Sequence, residues 1–413
     1  MPSAEADAPA IQRQASPAQA AWLRYRAELD REHEEILKLP ETQDSELRAQ
    51  ALYYLQSLEA TAHLLYIAPR HQYPAFYVDS VFQPMLEVSW GIPNPDFHYR
   101  WAWLDGARSY RVWGNKRGSF WATIQVYKGF WGDEVQGNLG NIDFDDVPTD
   151  ENGNFEFWLG PNPPAETNGQ MWIKTDPALP NITLNLREVF NDWEKDETIE
   201  IHIEILDRKP GAGLYFDEAE LAIRIDRATK FLAYNYGFTL EGLLPGKPGY
   251  RPANIFVASE IGVAQGGNPL ATYSNMNYNL KPDEALIIEM APTQGHYWGI
   301  QLLSLWKQTT EWIFHKSSIN GVQAHIDADG AFRGVLADSD PGVPNWIDTA
   351  GLSRASALLR WYKTDGSAVP STKVVKLAEV RDHLPKDTPV VTPAQRAEEL
   401  QRRSTAALRR WNR

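Results

Sequence analysis

The 413-residue sequence contains no cysteine, which excludes disulfide bonds, thiolate metal ligands and a cysteine nucleophile. No stretch approaches the roughly 18 uncharged apolar residues that a membrane-spanning helix needs, so we expect no membrane span. Positive charge is also scarce. The formal net charge of −14 argues against a nucleic-acid partner, because a polyanion would be repelled. The first fifteen residues lack an apolar core flanked by basic residues, so we expect no secretory signal and a cytoplasmic location.

Aromatic residues are abundant, with 16 tryptophans and 17 tyrosines against only 5 methionines. Large rigid rings suit β-sandwich cores, and they also line sites for sugars or apolar small molecules. Hydrophobic residues make up 43% of the chain and charged residues 23%, which are typical of globular proteins. The length predicts two or three domains, each large enough to bury a core.

Two parts of the chain share a series of short sequences in the same order. The first part has W-A-T-I-Q-V at 121–126, G-N-F at 153–155, W-I at 172–173 and L-R at 186–187. The second part has Y-W-G-I-Q-L at 297–302, G-A-F at 330–332, W-I at 346–347 and L-R at 359–360. A fixed order of weak matches is typical of an internal repeat, so the sequence predicts a duplicated module of roughly 100–120 residues.

The predicted fold is mainly β with helical additions: two tandem β-sandwich modules, an N-terminal helical hairpin, a linking helix and a C-terminal helix. Short β-rich runs separated by Gly, Pro, Asn and Asp turns indicate the modules. Capping boxes with proline at the first helical position, at 16–19 and 392–395, predict two helix starts. The predicted parts are a disordered tail (1–15), a helical region (16–95), the first module (96–210), a linking helix and long loop (211–270), the second module (271–385) and the C-terminal helix (386–413).

Both predicted modules resemble a bacterial family known as domain of unknown function 1214. The resemblance is clearest in the second module, in D-G-A-F-R-G-V at 329–335, D-P-G-V-P-N-W-I-D-T-A-G at 340–351 and L-R-W at 359–361. The first module has weaker equivalents in N-G-N-F-E at 152–156, M-W-I at 171–173 and L-R at 186–187. The resemblance implies a β-sandwich fold and no particular reaction, and it leaves the N-terminal helices unexplained.

The loop at 338–351 is one candidate for chemistry. Asp340 and Asp348 flank Trp346 in a stretch that two prolines stiffen. Carboxylates beside a tryptophan could serve as an acid or base next to a stacking platform. The alternative interpretation is a structured turn, in which Asp and Asn side chains bind local backbone groups.

Histidines in the second module form another candidate set. His296 and His315 are flanked by aromatic residues, and a pocket around them is one interpretation; structural roles are the other. The chain has no histidine pair at metal-ligand spacing, and its acidic turns depart from a calcium-binding loop, so we expect no metal. It also lacks a nucleophile elbow, a P-loop and a dinucleotide-binding glycine motif, so we expect no nucleotide or other cofactor.

Arg187 and Arg360 occupy equivalent positions in the two copies. A charge on a strand needs a partner if it is buried, so we expect each arginine either to pair with an acidic residue of the 338–351 loop or to point to solvent. The sequence favours a structural ion pair over an anion site.

Two functions compete. The first is a cofactor-independent hydrolase or lyase that acts on a hydrophobic or glycosidic small molecule in an aromatic-lined cleft between the modules. The second is a non-catalytic protein that binds a carbohydrate or a lipid-like ligand. The expected catalytic residues are Asp340, Asp348 and His296, and the expected ligand contacts are Tyr297, Trp298, Trp312, His315, Trp346 and Arg360. The oligomeric state does not follow from the sequence.

Overall fold

Four β-sheets and a set of helices make up the part of the chain that the computed structural model describes. The described residues are 15–70, 73–78, 90–165, 171–208, 217–247, 249–259, 267–364 and 369–410. The predicted disordered tail lies outside them except for Ala15, as does most of the glycine-rich stretch at 260–267.

The first module pairs two antiparallel sheets, with one parallel pair at an edge. Its five-stranded sheet has the order β1-β2-β8-β4-β5, and its four-stranded sheet has the order β7-β6-β3-β9. The strands are β1 (Tyr77–Val78), β2 (Phe97–Leu104), β3 (Tyr110–Asn115), β4 (Trp121–Lys128), β5 (Asn138–Asp143), β6 (Asn154–Gly160), β7 (Met171–Lys174), β8 (Ile182–Val189) and β9 (Glu200–Ile205).

The second module repeats this topology strand for strand. Its sheets have the orders β10-β11-β17-β13-β14 and β16-β15-β12-β18, which are the first module's orders with nine added to each number. The parallel pair recurs too, as β6–β7 and β15–β16. The strands are β10 (Val257–Ser259), β11 (Ala271–Asn279), β12 (Glu284–Met290), β13 (Gly295–Leu303), β14 (Ser318–Asn320), β15 (Phe332–Ala337), β16 (Trp346–Asp348), β17 (Arg354–Thr364) and β18 (Ser371–Lys376). The predicted fold class is confirmed.

Alternation along the central strands shows how the modules meet. In β8, Leu184 and Leu186 point into the first sandwich core, so Arg187 lies on the opposite face. In β17, Leu359 and Trp361 point into the second sandwich core, and Arg360 lies on the opposite face. These opposite faces are turned toward each other across the module boundary, where the helices complete a shared aromatic core.

The helices are α1 (Pro17–Ile36), α2 (Ser45–Ala62), α3 (Glu218–Glu241) and α4 (Pro393–Arg409), with short turns of helix at 41–43, 63–67 and 377–383. Both predicted capping boxes are present, at Ser16 and Thr392. α1 packs mainly on α3 and makes a smaller contact with α2. Within the described ranges, no helix combines the length and apolarity needed to cross a membrane.

A buried carboxylate ties the modules together. Asp96 Oδ1 accepts hydrogen bonds from Trp193 Nε1 (2.6 Å) and Asn320 Nδ2 (2.9 Å), and its Oδ2 accepts one from the Tyr297 hydroxyl (2.6 Å). Two of these donors belong to the second module. Burial raises the pKa of Asp96, because desolvation disfavours the charged carboxylate.

Candidate functional site

A cavity of about 90 Å³ lies between the facing five-stranded sheets. Its polar lining comes from Asn185, Arg187, Asn268 and Arg360. Its aromatic lining comes from Trp90, Tyr99, Trp101, Tyr127, Phe130, Trp131, Phe238, Tyr273 and Tyr362. Among the described residues that line the cavity, none is Asp, Glu or His.

Strand register makes the two arginines structural equivalents. Arg187 of β8 lies opposite Tyr99 of β2, and Arg360 of β17 lies opposite Tyr273 of β11. All four side chains line the cavity. Each module therefore contributes the same arginine–tyrosine pair to one shared space.

Arg360 is buried, with 6% of its surface exposed. Its Nη1 donates to the Tyr99 hydroxyl (3.3 Å), and its Nη2 donates to the Ile92 carbonyl (3.1 Å). The guanidinium carbon lies 5.4 Å from the centre of the Phe97 ring and 5.3 Å from that of Tyr273, within cation–π range. Its Nε is buried without a hydrogen-bond partner.

Arg187 is held by a side-chain network from the neighbouring strand β4. Its Nη1 donates to Gln125 Oε1 (2.8 Å), and its Nη2 donates to the Tyr127 hydroxyl (3.1 Å). Gln125 is itself anchored, because its Nε2 donates to the Gly267 carbonyl (3.0 Å). The network therefore fixes the guanidinium at the cavity wall.

Neither guanidinium forms an ion pair with a carboxylate in the described part of the chain. The titratable groups that interact electrostatically with each of them are tyrosines. This differs from both sequence expectations, since the arginines neither pair with the 338–351 loop nor point to solvent. Burial raises the pKa of Tyr127 and of Tyr362, so both phenols stay neutral near pH 7. The cavity thus presents two cations among neutral hydroxyl and amide groups.

The three predicted catalytic residues lie away from this cavity, each with its own partners. Asp340 accepts from Arg396 Nε of α4 (2.9 Å), and Asp348 Oδ2 lies 2.8 Å from His315 Nδ1. The His296 ring packs against Phe120, with centroids 4.9 Å apart, and burial lowers its pKa. No group of three histidine or acidic residues among the described residues has a metal-binding arrangement.

The predicted ligand-contacting aromatics also lie in separate places. Trp298 packs edge-on against Phe332 in the second sandwich core, with centroids 5.1 Å apart. Trp346 Nε1 donates to the Ala337 carbonyl (2.8 Å). Trp312 packs edge-on against Trp193, and Tyr297 is bound to Asp96 as described above. Of the predicted site residues, Arg360 alone lines the cavity.

Comparison with known proteins finds a family similarity in one part of the chain. Residues 100–188 match the model of a protein family of unknown function, DUF1214. This range runs from β2 to the end of β8, so the resemblance seen in the sequence is confirmed, and the match falls on the first module, where the sequence similarity was weaker. No curated protein matches the chain.

One solved structure shares the architecture beyond this range. An uncharacterized protein from Burkholderia cenocepacia is 25% identical, with a TM-score of 0.76 over 87% of this chain and 97% of its own. The VPA0106 protein from Vibrio parahaemolyticus is 13% identical, with a TM-score of 0.48 over 78% of this chain and 97% of its own.

Proposed function

We propose that this protein binds a small organic carboxylate in the cavity between its two modules, with Arg187 and Arg360 as charge partners. The observation that carries the proposal is the pair of equivalent arginines, which line one cavity without a carboxylate partner among the described residues. This proposal develops the binding-protein alternative and specifies a carboxylic acid in place of a carbohydrate.

An anion fits the charge of the cavity. Removing an ion from water costs several kcal/mol unless an opposite charge compensates for it, and here two cations share one small space. A ligand carboxylate supplies that charge, and its two oxygens match the paired donors of a guanidinium.

The cavity lining favours binding over hydrolysis or elimination. A hydrolase or lyase needs a group that gives or takes a proton near neutral pH. The described lining offers tyrosines, and the pKa values of Tyr127 and Tyr362 are raised away from that range by burial. The acid–base roles of Asp340, Asp348 and His296 stay predictions without a contact to this cavity. The cytoplasmic location expected from the sequence also stays a prediction.

Thermal unfolding with added acids tests the proposal. Acetate and butyrate should stabilise the wild type, by about 2.7 kcal/mol at 100 times Kd, whereas the neutral amides should not. Arg360→Met should abolish the effect. Arg26→Met removes an exposed arginine from α1 and serves as the matched control.

Two outcomes would count against the proposal. Equal stabilisation by acids and amides would show that charge does not govern recognition. Conversion of a bound acid to a product, detected by mass spectrometry, would support the hydrolase or lyase instead.

A further inference from the structure

A second cavity of about 270 Å³ lies beside the first, between the end of α2 and the strand β2. Trp90 and Trp101 line both cavities. Their ring centroids are 6.0 Å apart with the planes tilted by 37°, and this tryptophan pair is the wall that the two cavities share.

The second cavity is predominantly apolar. Its walls include Leu64, Leu65 and Trp103. Among the described residues that line it, one charged side chain, Arg70, reaches the cavity, and its Nη1 donates to the backbone carbonyls at 67, 68 and 69 at distances of 2.7–3.2 Å. The backbone that follows α2 therefore binds this guanidinium.

The two cavities differ in size, and each suits a different part of a ligand. A cavity of about 150 Å³ with apolar walls holds benzene. The arginine cavity, at about 90 Å³, is smaller than this and suits a carboxylate with few further atoms. The second cavity, at about 270 Å³, is larger than both and has room for an apolar chain.

We propose that the ligand is an amphipathic monocarboxylic acid whose apolar tail occupies this second cavity. The inference rests on the proposed function, since the carboxylate is placed at Arg187 and Arg360. The tail extends past the tryptophan pair toward Leu64, which is 42% exposed at the cavity wall. Burial of each further methylene in this space strengthens binding.

Calorimetric titration with straight-chain acids from acetate to dodecanoate tests this inference. Affinity should rise roughly fourfold per methylene once the chain reaches the second cavity, and it should stop rising when that cavity is full. The corresponding alcohols, which share the tail and lack the charge, should bind at least tenfold more weakly than the acids.

Leu64→Trp fills the second cavity and leaves the arginines intact. It should weaken octanoate binding at least tenfold and leave butyrate binding within twofold of the wild type. Leu23→Trp is the matched control, because Leu23 is 60% exposed on α1 and lines neither cavity. Thermal unfolding of both variants checks that each is folded.

The outcomes separate the two proposals. If short acids bind but lengthening gives no gain, or if Leu64→Trp binds octanoate like the wild type, the tail site is refuted while the carboxylate site stands. If no acid binds and Arg360→Met behaves like the wild type, the proposed function fails and this inference fails with it.

Discussion

Replacing Arg360 by methionine should raise the stability of the ligand-free protein and abolish ligand binding, so it distinguishes a binding role from a structural one. The guanidinium is buried, has no carboxylate partner among the described residues and leaves its Nε without a hydrogen bond. Methionine is flexible enough to fill much of the same space with apolar atoms. We therefore expect the ligand-free variant to be more stable than the wild type and unable to bind acids.

The magnitude follows from opposing contributions. Desolvation of an ion costs several kcal/mol, whereas hydrogen bonds from a charged group return about 1.5–3 kcal/mol each and a cation–π contact about 0.5–2 kcal/mol. Arg360 has two such hydrogen bonds and two ring contacts, so these contributions and the desolvation cost balance to within a few kcal/mol. Replacement of a buried ion pair by well-packed apolar residues is often neutral or stabilising by about 1–4 kcal/mol. Because Tyr99 and Ile92 lose a donor, we expect a gain of about 1–2 kcal/mol.

Arg333→Met is the contrasting variant. Arg333 forms ion pairs with Asp327, Asp329 and Glu289 at N–O distances of 2.9, 2.6 and 3.1 Å. Its removal leaves three carboxylates close together without their cation, so we expect a loss of about 1–3 kcal/mol. The two arginine-to-methionine changes should thus shift stability in opposite directions.

Urea unfolding in a buffer free of carboxylate, phosphate and sulfate measures both effects. Added octanoate should then stabilise the wild type and Arg333→Met but not Arg360→Met. If Arg360→Met loses as much stability as Arg333→Met, Arg360 is a structural residue and the argument for a built anion site is refuted.

Three further predictions concern other buried charges. Burial, reinforced by Arg251, lowers the pKa of Lys307 from 10.5 to about 8, so Lys307→Met should raise the free energy of unfolding by about 3 kcal/mol near pH 7. Urea unfolding should show this difference vanishing between pH 8 and 10.5, because there the folded wild type has lost the proton that the unfolded chain still holds. Burial and Glu28 raise the pKa of Glu32 from 4.5 to about 9, so the stability of the wild type should fall relative to that of Glu32→Gln as pH rises from 4.5 toward 9. Melting temperatures that change equally with pH in the two proteins would contradict this. Asp96→Asn should cost about 2–3 kcal/mol in urea unfolding, because one carboxylate satisfies three buried donors, and an unchanged midpoint would exclude its role in joining the modules.

The features that could be predicted from sequence are those with local causes. The capping boxes at Ser16 and Thr392 are complete within four residues, so the helix starts follow from the sequence alone. The repeated phrases lie on equivalent strands, β4 with β13, β7 with β16 and β8 with β17. The packing of α1 on α3 depends on contacts about 200 residues apart, such as Arg24 with Asp226, and no local pattern indicates it.

The site was harder to predict because it depends on which strand faces meet. Strand alternation tells which side chains share a face, but not which of the two faces packs on the other module. Trp298 and Trp346 suggested a pocket because they are large, yet large rings fill cores as readily as sites. The loop around Asp340 behaves as the structured turn that was its alternative interpretation: Asp340 Oδ1 accepts from the Gly342 amide (2.8 Å), and Asn345 Nδ2 donates to the His325 carbonyl (2.7 Å).

Duplication itself explains why the two arginines converge. When two copies of a module pack through equivalent faces, a residue at one position appears twice at the boundary, and a ligand held there can contact both copies. The copies differ nearby: Trp101 of β2 corresponds in register to Asn275 of β11, because each lies two residues beyond the tyrosine that faces the arginine. The large apolar cavity lies on the Trp101 side. A ligand with a charged head and an apolar tail would therefore bind in one orientation, with its tail toward the first module, although the charges that hold its head are supplied symmetrically.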